Sequence, residues 1–142
     1  MLHQFLVVGG ASLCNITVHA LVMAAVVRVA HFTAKHTTEP TLRLIVVMVA
    51  VVSVLMAAHV VEVIIWSLVY AIVGAASAGV DLLYFAFVNY TTLGYGDVIP
   101  VESWRLLGPV TAMNGVLLFG WSTAVIFEVL WRAMMRSDML TS

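Results

Sequence analysis

The chain has 142 residues, of which 63% are hydrophobic and 9% are charged, and its formal net charge is −1. Soluble domains carry about 25% charged residues, so this composition excludes an ordinary soluble domain and predicts a protein that lies in a lipid bilayer. The near-zero charge gives no indication of a nucleic-acid partner. The single cysteine, Cys14, excludes an intrachain disulfide and is expected to be a small core residue.

Four apolar stretches follow one another along the chain. Three of them, residues 5–32, 42–73 and 106–134, exceed the length of about 20 residues that a helix needs to cross a bilayer. The fourth, residues 80–90, is too short to cross and is typical of a re-entrant helix that enters and leaves on one side. Turns are predicted between the stretches, at residues 33–41, 74–79 and 97–105. The predicted fold class is therefore an all-α membrane protein with three transmembrane helices and a re-entrant helix.

The basic residues predict the orientation of these helices. If three helices cross the membrane, five of the six basic residues lie on one side, namely Arg28, Lys35, Arg43, Arg132 and Arg136. Cytoplasmic segments carry an excess of Lys and Arg, so we expect the N-terminus outside and the C-terminus in the cytoplasm, in the plasma (inner) membrane. No basic residue precedes the first stretch, which is not typical of a secretory signal. Trp66 and Trp104 are expected at the outer membrane interface.

The segment NYTTLGYGDVIP, residues 89–100, has the composition of a surface turn but lies between two apolar stretches. Irregular backbone is tolerated at membrane depth only where it is buried in protein or lines a water-filled space. Gly94 and Gly96 permit a backbone of alternating hand, which would turn successive carbonyls in one direction. Such carbonyls, together with the hydroxyl of Thr92, can replace the water shell of a cation. One chain supplies one wall of such a ring, so four chains are needed.

This segment resembles the selectivity filter of the potassium-channel pore family. The matching run is Thr92, Leu93, Gly94, Tyr95 and Gly96. The resemblance implies an outer helix, a pore helix, a filter and an inner helix, which assemble as a four-fold homotetramer in the bilayer. It implies K⁺ at Thr92, Leu93, Gly94 and Tyr95. The residues expected to support the filter are Tyr84, Thr91, Asp97 and Glu62. It also implies a small bacterial-type channel in which residues 1–36 form an extra N-terminal helix and linker and residues 37–142 form the pore domain.

The pore helix departs from the family pattern at two places. Tyr84 and Phe85 stand where many members have a pair of tryptophans. Val88 stands where some bacterial members have a buried glutamate, so the pairing of that carboxylate with Asp97 is absent. Asp81, at the start of the pore helix, is expected to cap it.

The inner helix is expected to carry the cavity and the gate. The resemblance places a hinge at Gly115, although close helix packing explains a glycine there equally well. Helical spacing puts Val116, Phe119, Thr123 and Phe127 on one stripe, which the resemblance turns toward the cavity. A ring of Phe127 would close the pore by excluding water, and the alternative is that Phe127 faces lipid or the outer helix.

Three ionisable residues lie inside the spans. At 1.5 Å per residue, His19 and His59 are expected at the same depth on antiparallel helices, and Glu62 level with residues 89–91. Such residues are costly in a membrane and usually have a partner or a function. Three interpretations are open: a hydrogen-bonded brace, a proton sensor in which burial raises the pKa of the carboxyl, and a metal site of two imidazoles and a carboxylate.

The predicted function is passive, K⁺-selective conduction, and no enzyme activity is expected. The expected partners are three further copies of the chain, the bilayer and K⁺. No cofactor is expected beyond K⁺ itself. The alternative is a non-conducting or regulatory subunit of a larger channel or transporter. Transporter subunits that are related to potassium channels usually carry four degenerate filters in one chain, whereas this chain carries one. An intramembrane enzyme or metal carrier built on His59, Glu62 and His19 lacks an accompanying general base.

Overall fold

The computed structural model describes residues 2–36 and 39–138, and among these residues every regular element is helical. The elements are α1 (Leu2–His36), α2 (Pro40–Val73), α3 (Leu82–Tyr90), a short 3-10 turn (Glu102–Trp104) and α4 (Leu107–Asp138). Three segments are long and apolar enough to cross a membrane, namely His3–Ala30, Thr41–Val73 and Glu102–Met135. The predicted fold class, all-α with three spanning helices, is confirmed.

The first turn is shorter than the sequence predicts. Residues 33–41 are expected to be a linker, but α1 continues to His36 and α2 already begins at Pro40. Proline is well placed at the first position of a helix, because its missing N–H would have no intrahelical partner there. Residues 37–38 lie outside the described residues. At its other end α2 stops at Gly74, which has a φ of 63° in the left-handed region that terminates helices.

Helix α3 begins two residues after the start of the predicted short stretch, residues 80–90, and ends at the same residue. The carboxylate of Asp81 accepts hydrogen bonds from the backbone amides of Leu83 at 3.0 Å and Tyr84 at 3.1 Å. These amides belong to the first turn of the helix, where no carbonyl is available to accept from them. The predicted capping role of Asp81 is confirmed.

The long helices pack as an antiparallel α1–α2 pair against which α4 lies. One apolar cluster joins Val8 of α1 with Val63 and Tyr70 of α2, together with Phe85 of α3. A second cluster, toward the other end, joins residues late in α1 with residues early in α2, namely Met23, Val26, Ala30, Val47, Val51 and Leu55. The pairing of early with late residues defines the antiparallel arrangement. The antiparallel arrangement of the first two spans, expected from the sequence, is therefore confirmed, and α1 also contacts α4.

Two side chains occupy a helix face that the sequence did not predict. Trp66, expected at the outer membrane interface, is fully buried within the protein, and its indole N–H donates to Asn114 Oδ1 at 3.2 Å. Cys14, expected to be a core residue, is exposed, so that prediction is wrong. Position along a span does not say which face of the helix a residue occupies. In α1 the face that carries Cys14 points away from the other helices.

Candidate functional site

The loop that follows α3 has a backbone of alternating hand. Thr92, Gly94 and Gly96 have φ values of 60°, 57° and 78°, whereas Leu93 and Tyr95 between them have negative φ. Glycine adopts positive φ readily, but threonine does so only at a cost of order 1–3 kcal/mol. Residues held in such unfavourable backbone conformations are typical of functional sites. The alternation expected from the sequence is therefore present over five consecutive residues.

The same loop is exposed along its whole length within one chain. Each residue from 91 to 97 is exposed, and the side chains of Leu93 and Tyr95 are 53% and 69% accessible. The loop is nevertheless tied to the end of α3. The amides of Leu93 and Thr92 donate to the carbonyls of Val88 and Asn89, each at 3.0 Å. A hydrogen-bonded loop with exposed apolar side chains is typical of a surface that another molecule covers.

A hydrogen bond connects the start of α3 to the end of the loop. The phenol of Tyr84 donates to Asp97 Oδ2 at 2.7 Å. This bond raises the pKa of Tyr84 above its usual value, so the phenol keeps its proton and remains a donor at neutral pH. Asp97 thus has an aromatic donor on α3, although Val88 cannot supply the carboxylic acid that some related pore helices carry. Thr91, the residue between α3 and the loop, bonds through its hydroxyl to the carbonyl of Phe87 at 2.7 Å.

Helix α4 touches the end of α3 through Gly115. A Cβ built at this glycine would overlap the carbonyl oxygen of Tyr90 and lie 3.0 Å from its carbonyl carbon. Gly115 is buried, so there is no open space into which such an atom could move. The contact supports the packing interpretation of this glycine. The hinge interpretation stays a prediction.

The predicted cavity stripe of α4 is split between two faces. Val116, Thr123 and Phe127 are exposed in the single chain, with Phe127 64% accessible. Phe119 is half-buried instead, and its ring packs on the rings of His59 and Tyr90 at centroid distances of 4.6 Å and 5.3 Å. Aromatic rings attract one another at such distances, and this interaction draws Phe119 toward the chain's own interior.

Polar side chains join α2 to α4 at two levels. The phenol of Tyr70 donates to Thr111 Oγ1 at 2.8 Å and accepts from Asn89 Nδ2 at 3.2 Å. One turn deeper, Trp66 donates to Asn114, which also accepts from Asn15 Nδ2 at 3.2 Å. These contacts link all four helices.

The deepest level contains the three ionisable residues. His19 Nδ1 lies 2.8 Å from Glu62 Oε1, and His59 Nδ1 lies 2.9 Å from Glu62 Oε2. The phenol of Tyr90 donates to the same Oε2. Ser122 Oγ lies 3.0 Å from His59 Nε2 and 3.4 Å from His19 Nε2. The common depth of the two histidines and the proximity of Glu62 to residues 89–91 are confirmed, and the contacts are those of a brace.

The polar residues that hold the helices together above this level were not predicted from the sequence. Asn15 and Asn114 are buried, and Tyr70 and Trp66 are fully buried. The signal that selected His19 was a polar residue inside an apolar span, and the same signal is present at Asn15 and Asn114. It is absent at Tyr70 and Trp66, because these residues are common in spans without any hydrogen-bonding role.

The chain has three helices of span length, with a short helix and an exposed loop between the last two. This arrangement defines an integral membrane protein built around a pore module. The sequence model of the family described as "Ion channel" matches residues 58–132. This match covers more than half of the chain, from the middle of α2 through α3 and the loop to late α4. The chain therefore belongs to this family of pore-module ion channels. Comparison with curated proteins and with solved structures gave no match.

Proposed function

We propose that four copies of this chain form a passive K⁺-selective channel in the plasma membrane, with the carbonyls of residues 92–96 as the filter. The alternating backbone of the loop is the observation that carries the proposal. Positive φ at Thr92, Gly94 and Gly96 alternates with negative φ at Leu93 and Tyr95. A backbone of alternating hand is expected to turn successive carbonyls toward one side. Rings of backbone carbonyls are the means by which K⁺ channels replace the hydration shell of the ion.

The exposure of the filter loop supports the four-fold assembly. Leu93 and Tyr95 present apolar and aromatic side chains that a bilayer could cover. The free backbone groups beside them, however, could not face lipid, because lipid offers them no hydrogen-bond partners. A closed cyclic arrangement buries the side chains between chains and leaves the carbonyls on a water-filled axis. In this arrangement the C-terminal end of α3 points toward the axis, where its dipole, about −0.5 charge, favours a cation. We place the N-terminus outside and the C-terminus in the cytoplasm, in accord with the basic residues.

The test is ion flux from liposomes that contain only the purified full chain. We expect K⁺ and Rb⁺ to move down their gradients without an energy source, Na⁺ to move hardly at all, and Ba²⁺ to block. Equal movement of Na⁺ and K⁺ would refute the K⁺-selective filter. Four-fold assembly without any flux would instead favour the non-conducting subunit.

A glycine pair provides a matched control for the filter. Gly96 has a φ of 78°, and no atom of its own chain lies within 4 Å of an added Cβ, so within the chain Gly96→Ala acts through backbone conformation, at a cost of about 1–2 kcal/mol. We expect it to abolish flux, because the last filter carbonyl turns away in all four chains. Gly120 also has open space but lies inside α4 without positive φ, so Gly120→Ala should keep flux and selectivity.

A further inference from the structure

The buried cluster around Glu62 lacks one hydrogen-bond donor when both of its imidazoles are neutral. Each histidine turns Nδ1 toward a Glu62 oxygen and Nε2 toward Ser122 Oγ. An ionised carboxylate only accepts hydrogen bonds, so in a cluster of neutral imidazoles both Nδ1 atoms carry the hydrogen and both Nε2 atoms are acceptors. Ser122 has a single hydroxyl hydrogen and can serve one Nε2. The other Nε2 is left without a donor at a buried site, where polar atoms are normally paired.

We infer that His19, His59, Glu62 and Tyr90 form a structural site for one divalent transition-metal ion of the Zn²⁺ type. The metal would take the lone pairs of both Nδ1 atoms, and both Nε2 atoms would then carry a hydrogen. Ser122 Oγ has two lone pairs and lies close to both of these groups, so it can accept from each. Metal-bound histidines almost always donate their second ring N–H to an oxygen in this way.

The donor atoms are close enough together to surround a four-coordinate ion after local adjustment. Ligands 2.0–2.2 Å from a tetrahedral metal lie about 3.3–3.6 Å from one another. His59 Nδ1 is 2.9 Å from Glu62 Oε2 and 3.0 Å from Tyr90 Oη, and His19 Nδ1 is 2.8 Å from Glu62 Oε1. Donor atoms of the two histidines and Glu62 all lie within 4.8 Å of one another. The contacts of 2.8–3.0 Å would open by a few tenths of an ångström, the hydrogen-bonded pair Tyr90 Oη and Glu62 Oε2 would open further, and any donor pair near the 4.8 Å limit would close around the ion.

The donor types select the metal. Two imidazole nitrogens suit Zn²⁺, Co²⁺, Ni²⁺ or Cu²⁺, whereas Mg²⁺ and Ca²⁺ prefer oxygen ligands alone. Four protein donors with no open coordination position are typical of a closed structural site. Glu62 supplies one negative charge, and Tyr90, if it binds as a phenolate and releases its proton, supplies a second. The occupied site then has no net charge, which suits its buried position.

The location of the site gives it a structural consequence. His19 belongs to α1, His59 and Glu62 to α2, and Tyr90 is the last residue of α3. A bound ion would join the N-terminal helix to the helix that positions the filter loop. This inference does not depend on K⁺ selectivity, because it rests on the interior of a single chain.

The test uses Co²⁺ as a spectroscopic substitute for Zn²⁺. The purified full chain in mild detergent is stripped with a chelator and titrated with cobalt chloride. We expect the intense visible absorption of four-coordinate Co²⁺, saturation at one ion per chain and bleaching by zinc chloride. If the folded wild-type chain develops no such absorption, the inference is wrong. One additional proton in the cluster then supplies the missing hydrogen-bond donor. This measurement requires no variant and no flux, so a failure of the filter proposal would not affect it.

Variants separate ligands from bystanders. His19→Gln keeps a polar side chain of similar reach but should remove the absorption, whereas His3→Gln, which also removes an imidazole from α1, should leave it unchanged. Ser122→Ala keeps all four ligands, so we expect the absorption to remain while the affinity for Co²⁺ falls by about 10–100-fold. An unchanged affinity in Ser122→Ala would contradict the proposed role of this hydroxyl, and an unchanged spectrum in a folded His19→Gln would refute the site.

Discussion

Gly115→Ala tests whether the contact between α4 and the end of α3 sets the position of the filter loop. The added Cβ would overlap the carbonyl oxygen of Tyr90 and lie 3.0 Å from the carbonyl carbon and 3.3 Å from the ring carbon Cγ. The first two atoms are backbone, so no side-chain rotation can relieve the overlap. Either α4 or the last turn of α3 has to move.

The expected size of the effect follows from two opposing contributions. Overpacking of a well-packed interior costs about 1–3 kcal/mol, and overlap with backbone places this case at the upper end. Alanine is a better helix former than glycine by about 1 kcal/mol, which offsets part of that cost. We expect a net destabilisation of about 2 kcal/mol per chain, which corresponds to a melting temperature lower by about 6 °C for a domain of this size.

Gly120→Ala is the matched control, because it makes the same chemical change five residues further along the same helix. No atom lies within 4 Å of a Cβ at Gly120, so only the gain in helix propensity of about 1 kcal/mol remains. Thermal unfolding in mild detergent, followed by circular dichroism, compares the two variants. K⁺ flux from liposomes reports whether the loop has moved, and we expect it to fall only in Gly115→Ala. If the two variants melt at the same temperature and conduct equally, the close approach is not a constraint.

Three further predictions concern other contacts of the same chain. Tyr84→Phe removes the donor to Asp97 while keeping the aromatic ring. We expect the helix content to stay unchanged and the flux to decay faster under sustained conduction. Unaltered flux kinetics would contradict a supporting role for this hydrogen bond. Tyr70→Phe leaves the amide of Asn89 and the hydroxyl of Thr111 without their common partner at a buried site, so we expect a loss of about 1–2 kcal/mol in thermal unfolding, and an unchanged melting temperature would show that these groups find other partners. Deletion of residues 1–36 removes the side chains that α1 contributes to the buried polar contacts, so we expect a lower yield of assembled protein but unchanged K⁺ over Na⁺ preference, and a shift in that preference would refute a purely supporting role for α1.

The elements of this fold could be predicted from the sequence because their signals are local. Residues 42–73 are apolar over more than the thickness of a bilayer, and the helix found there is Pro40–Val73. The short helix was predicted from its length and from Asp81, whose carboxylate accepts from the amides of the first turn. The alternating backbone of the loop follows from glycines at alternate positions, since these residues tolerate the left-handed region.

Depth along a span is also local, and for this reason the neighbourhood of Glu62 could be predicted. A helix rises by 1.5 Å per residue, so counting from the turns places His19, His59 and Glu62 at nearly one level. Their mutual contacts in the structure agree with that count. The same count could not predict that Ser122 of α4 contacts both imidazoles, because serine gives no signal of its own inside a span.

The remaining features depend on which face each helix turns inward, and the tertiary structure alone decided them. The helices are apolar on all sides because lipid and protein interior have the same polarity, so no hydrophobic stripe distinguishes the inner face of α1 or α2. For this reason the sequence did not predict that Trp66 is buried against Asn114 or that Phe119 packs on His59. In a soluble protein, water would have marked the outer face of each helix with charged residues, whereas in a bilayer only the packing of one helix on another selects the face.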